Sequence, residues 1–99
     1  MNKSKILSYL GLATKAGLVV SGEFSTEKAV KERKAVIVIV AEDSSDNTKK
    51  RFENMCAYYK VPLYILSDKY ELGHAMGKEM RSSLAVLDKG FSDAIIKQL

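Results

Sequence analysis

Residue types suited to covalent or metal chemistry are scarce in this chain. His74 is the only histidine and Cys56 the only cysteine, and neither a Ser-His-Asp set nor a metal-ligand spacing can be assembled from one of each. Cys56 stands on the apolar stripe Phe52, Met55, Cys56 and Tyr59 of a predicted helix, where a cysteine packs as a small hydrophobe. His74 falls on the outer side of a short predicted helix. Glu42 and Asp43 close the longest apolar run, a place where α/β folds often carry functional groups. A carboxylate pair there can hold a cation or border a small-ligand pocket. It can also start a turn and feed the N-terminal dipole of the next helix. Neither a dinucleotide-type glycine motif after a strand nor a P-loop occurs. These patterns argue against catalysis and against a resident cofactor or metal.

Two short segments have the chemistry of a polyanion contact instead. The first is the turn Ser21-Gly22-Glu23-Phe24-Ser25 with Thr26, Lys28 and Lys31 behind it. Glycine lets another backbone approach closely, and the free amides of a helix start attract anions. Lys28 and Lys31, three apart on one side of that helix, can reach phosphate oxygens. The second is Gly77-Lys78-Glu79-Met80-Arg81-Ser82-Ser83, with two cations, two hydroxyls and a methionine. A flexible apolar side chain between cations suits stacking on a base, although Met80 can also fold back onto the core. The further basic run Lys49-Lys50-Arg51 reads as the wet side of its helix.

The elements that must position these residues are organised around Lys34–Asp43. Its unbroken run Ala35-Val36-Ile37-Val38-Ile39-Val40-Ala41 does not alternate with polar residues, so both faces must be covered. That predicts a central strand, with a parallel neighbour and helices on both sides. Apolar spacing predicts helices near residues 4–16, 25–33, 45–60, 68–76 and 91–99. Strands fall at 18–20, 36–40, 63–66 and 84–87. Gly17 and Gly77 stand where helices commonly end, and Gly11 implies close packing inside the first helix. The alternation predicts an α/β fold, a three-layer α/β/α sandwich with a central four-stranded mixed sheet.

Length and composition set the remaining bounds. Ninety-nine residues predict one domain over 1–99, with 46% hydrophobic and 28% charged residues as in ordinary soluble globular proteins. A lone cysteine suits a reducing cytoplasm. No stretch has the length and polarity of a secretory signal or membrane span. The formal net charge of +4 permits a polyanionic partner without requiring one.

Four segments, in order, resemble the kink-turn RNA-binding ribosomal-protein family of archaeal L7Ae and eukaryotic L30e. They are Gly22-x-x-x-Thr26-x-Lys28, the strand Val36 to Val40 ending in Ala41-Glu42-Asp43, Val61-Pro62-Leu63, and Leu72-Gly73-x-Ala75-x-Gly77-Lys78. The small bacterial YlxQ-like branch is similar also in Gly11-Leu12-Ala13 with Ala16-Gly17, in Ser21-Gly22-Glu23 and in Asp88-Lys89-Gly90-Phe91. The resemblance implies a non-catalytic RNA-binding protein, and a cytoplasmic monomer is expected with it. Its partner would be structured RNA, ribosomal RNA included, bent at a kink-turn with sheared G·A pairs. It further implies contact through Ser21, Gly22, Phe24, Ser25, Lys28 and Lys31 on one side and Lys78, Met80 and Arg81 on the other. Phe24 and Ser25 stand where many archaeal members carry Asn and Glu that read the G·A bases. That departure leaves room for a protein-interaction module whose RNA contact is incidental.

Overall fold

The computed structural model describes residues 1–99. Its elements run α1 (Lys3–Lys15), β1 (Val19–Ser21), α2 (Glu23–Lys31), β2 (Ile37–Val40), α3 (Asp46–Tyr59), β3 (Leu63–Ile65), α4 (Lys69–Ala75), β4 (Ser83–Val86) and α5 (Lys89–Ile96). The strands form one mixed sheet in the order β1-β4-β2-β3. β2 pairs in parallel with β3 and antiparallel with β4, whose other neighbour is β1.

β2 is fully buried at all four positions, as its unbroken apolar run requires. Side chains on a strand alternate between faces, so the run divides into two cores. Ile37 and Ile39 join Leu84 and Val86 under Ile6 and Leu10 of α1, Leu72 of α4 and Ile95 of α5. Val38 and Val40 join Ala85 under Ala29 and Val30 of α2 and Phe52 and Cys56 of α3. Three helices therefore cover one face and two the other, the layering that the element order predicts.

Helix ends differ from the sequence expectation in informative ways. α2 begins at Glu23, two residues earlier than its apolar spacing suggests. Gly22 is at once the end of the β1–β4 ladder, its amide donating to Ser83 O (2.9 Å), and the N-cap of α2, so nothing separates strand from helix. α5 likewise starts at Lys89, because the Asp88 carboxylate accepts from the Phe91 amide at 2.8 Å. α3 ends on Lys60 in the left-handed region, a place glycine usually takes. Gly11 packs as its position implies: an added Cβ would stand 3.0 Å from Ala75 O of α4.

Candidate nucleic-acid interface

Both candidate segments lie at the same end of the sheet. β1 runs into Gly22 there and β4 leaves Ser83, since Ser21 pairs with Leu84. The backbone of Gly22 takes φ +92°, in the region that favours glycine, and turns the chain directly into α2. The other four helices carry a side-chain cap, from Asn2, Ser45, Asp68 and Asp88. Only α2 has none. Its first amides therefore keep their donors unclaimed by any side chain, beside the positive end of the helix dipole.

The facing loop is held by its backbone. The Lys78 amide donates to Gly73 O (2.8 Å) and the Arg81 amide to Lys69 O (2.9 Å), so residues 77–81 fold back along α4. Gly73 makes this possible: a Cβ there would stand 2.1 Å from Glu79 O and 2.7 Å from Met80 Cα. Met80 does not fold into the core; it is 49% exposed. Arg81 reaches across instead, its Nε donating to Ser21 Oγ at 3.1 Å and its guanidinium also to Met80 O at 2.8 Å. The two segments thus enclose one notch of about 360 Å³ between Ser21, Gly22 and the chain from Met80 to Ser83.

Of the candidate residues, Ser21, Gly22, Met80 and Arg81 line the notch. Phe24 is 79% exposed on the first turn of α2, with Ser25 exposed beside it. Lys28 is exposed and forms no ion pair, whereas Lys31 is held by Glu27 at 2.9 Å. Lys78 is exposed on the loop but does not line the notch. Thr48 lines it and escaped the sequence reasoning. The signal was Ser45, whose hydroxyl caps α3 by accepting from the Thr48 amide (3.1 Å) and donates to Thr48 Oγ1 (2.9 Å).

Glu23, the first residue of α2, also lines the notch, and its carboxylate is neutralised by a cation from the next helix. Arg51 on α3 pairs with both Glu23 and Glu27 of α2, so this cation is not simply the wet side of its helix. The Lys31 hydrogen bond, ahead of the Arg51 charge, holds the Glu27 carboxyl below its ordinary range against the opposing effect of burial. Glu42 and Asp43 do not feed α3. Glu42 Oε1 accepts from the Ser67 amide (2.9 Å) and Asp43 Oδ1 from the Lys69 amide (3.0 Å), bracing the β3–α4 connection. The cavity beside them adds Asp68 and Glu71 and one cation, Lys3, already paired with Glu71 at 3.0 Å. Four carboxylates repel a phosphate-bearing ligand, which counts against a nucleotide pocket there. Burial pushes the Cys56 thiol up to about 11, in keeping with a packing role. His74 is exposed.

Fold and sequence together define the class. Residues 4–96 match the ribosomal protein L7Ae/L30e/S12e/Gadd45 family, and the chain belongs to it, a family of ribosomal proteins and not of enzymes. It is 42% identical to the RNA-binding protein YlxQ of Bacillus subtilis (strain 168), over 91% of this chain and 90% of that one. It is 37% identical to the RNA-binding protein YlxQ of Enterococcus faecium, over 92% and 87%. Among solved structures, a protein with unknown function from Bacillus halodurans C superposes with a TM-score of 0.91 at 35% identity, over 95% of both chains. A Giardia lamblia 15.5kD RNA binding protein shares the fold, with a TM-score of 0.82 at 18% identity over 97% of this chain and 82% of that one. No helix is long and apolar enough to cross a membrane.

Proposed function

We propose that this chain binds a bent, structured RNA of kink-turn type through the notch between the α2 start and the loop before β4. It does so as a single cytoplasmic RNA-binding domain over residues 1–99, acting as a monomer on ribosomal or similarly folded RNA. The observation that carries this is the uncapped start of α2 placed against a braced cationic loop. Unclaimed first-turn amides and Lys28 supply donors for the phosphates of a sharply bent backbone. Arg81 adds a fixed cation, and Met80 offers a soft apolar surface to a nucleotide turned out of the stack. Recognition of this kind reads shape and backbone more than base edges, which suits an α2 start carrying Phe24, which can stack, and Ser25, which can make one hydrogen bond, where many archaeal members carry Asn and Glu. Lys31, tied to Glu27, and Lys78, outside the notch, contribute longer-range attraction.

Crosslinking the protein to RNA in cells and sequencing the attached fragments tests this. The expected result is enrichment of bent duplexes with tandem G·A pairs, with crosslinks mapping to residues 21–28 and 78–83. Recovery of a protein partner with no enriched RNA would favour the interaction-module alternative.

A further inference from the structure

Phe24 is the most exposed large hydrophobic side chain of the chain, and it stands on a ridge. Phe24 and Lys28 of α2 and its C-cap Glu32 follow one another at one-turn spacing, and a cleft opens on each side of them. The outer cleft is walled by Glu27, Lys28 and Lys31, with Phe24 its only hydrophobic residue. The inner cleft, between α2 and the edge strand β1, is different. Val20, Ala29 and Leu87 form its floor, and Lys28 and Lys34 stand at its margins. Ala29 belongs to the α2–α3 core and half-buried Val20 and Leu87 pack against it, so the floor is a packed surface. Glu32 also borders the cleft, but Lys34 pairs with it loosely at 3.4 Å, both side chains being well exposed. The cavity measures about 300 Å³, the lower end of the range that small-ligand pockets occupy.

We infer that this groove is a subsite for one unpaired nucleotide of the bound RNA, its base against Phe24 and the apolar floor, its phosphates between Lys28 and Lys34. The inference rests on the RNA-binding reading of the notch, which the groove follows along the chain: Ser21, Gly22 and Glu23 line the notch, and Phe24 and Ser25 the groove. A base offers an apolar face flanked by negative charge, and the groove offers the complement: aromatic wall, apolar floor, cations at the margins. A duplex is too large to enter. An uncharged peptide side chain would meet the same floor but leave Lys28 without counter-charge and Lys34 with only its loose pair to Glu32. Stacking on Phe24 is tolerant of sequence, so the groove would favour an unpaired residue next to the bend and not a particular base.

The chain has no tryptophan, so Phe24→Trp places a single reporter in the groove. The probe is a kink-turn RNA carrying a short single-stranded oligoadenylate extension, compared with the same RNA ending flush. The groove predicts quenching of Trp fluorescence that depends on the extension, and at least about fivefold tighter binding of the extended RNA. Lys34→Glu and Leu87→Glu should each remove that advantage, the first without altering the thermal melt. Equal affinity and equal quenching for extended and flush RNA would overturn the inference. The two readings fail separately. If intact and G·A-disrupted RNAs bind alike while the extension still tightens binding, the groove stands and kink-turn recognition falls. If G·A disruption weakens binding while the extension does nothing, the groove falls.

Discussion

Arg81 Nε donates to Ser21 Oγ across 3.1 Å, and this hydrogen bond ties the loop before β4 to the strand end that turns into α2. The two residues are sixty positions apart. Because the same guanidinium also holds Met80 O at 2.8 Å, Arg81 sets the width of the notch as well as its charge. Replacing it by alanine should lower affinity for a bent RNA about tenfold, since hydrogen bonds from charged groups contribute ~1.5–3 kcal/mol. Arg81→Lys keeps the charge but not the planar fork, and should recover only part of the loss. Titration calorimetry on the three proteins checks this; full recovery by lysine would reduce Arg81 to a simple point charge.

Gly73→Ala should damage the notch from behind. The new Cβ would meet the backbone of Glu79 and Met80 at 2.1 and 2.7 Å, and backbone cannot swing aside as a flexible side chain can. Over-packing of this kind costs ~1–3 kcal/mol, and each kcal/mol lowers the melting temperature of a chain this size by roughly 4–8 °C. Calorimetric melting should show that drop, and RNA affinity should fall with it because the displaced segment carries Met80. An unchanged melt would mean the loop has room that the structure does not show.

Salt dependence separates the two lysines of α2. Lys28 has no acidic partner, while Lys31 is paired with Glu27. A lysine that neutralises a phosphate steepens the fall of affinity with salt. Lys28→Ala should therefore reduce the slope of log affinity against log salt by about one and weaken binding severalfold. Lys31→Ala should change both less. Filter binding over a salt series decides, and equal effects would show that the Glu27 pair opens when RNA arrives.

Acid should loosen the helix that supports the loop. The Glu71 amide, with help from its neighbour Tyr70, holds the Asp68 carboxyl below its ordinary value, against the opposing effect of desolvation. A depressed carboxyl stabilises the fold above its unfolded value. That contribution disappears as pH falls through the lower, folded value. The melting temperature of the natural chain should thus decline on acidification below the ordinary aspartate range, and Asp68→Asn should show a shallower decline. Parallel melts across acidic pH measure this, and identical curves would remove Asp68 from the account.

Local pattern carried much of the fold. The β-branched run through Val40, the apolar spacing of the helices and the glycines at 17, 22 and 77, all with positive φ, are properties of neighbours in the chain, and they were readable as such. The strand order was not, because nothing within β1 or β4 says that they lie side by side. The same holds for Glu42 and Asp43, whose amide partners Ser67 and Lys69 are about twenty-five residues away. At the candidate site, residue types at Gly22, Lys28 and Met80 drew attention by themselves, and Phe24 did so through the family resemblance. The Arg81–Ser21 hydrogen bond, the clasp of Arg51 on Glu23 and Glu27, and the role of Gly73 depend on folding and left no trace in spacing.

The most direct measurement is the affinity of the purified protein for a kink-turn RNA against the same RNA with its G·A pairs replaced by Watson–Crick pairs, by electrophoretic shift at one salt concentration. A notch shaped for a bent backbone predicts clearly tighter binding of the intact kink-turn, with the preference lost in Arg81→Ala. Equal binding of the two RNAs by the unaltered protein would contradict it.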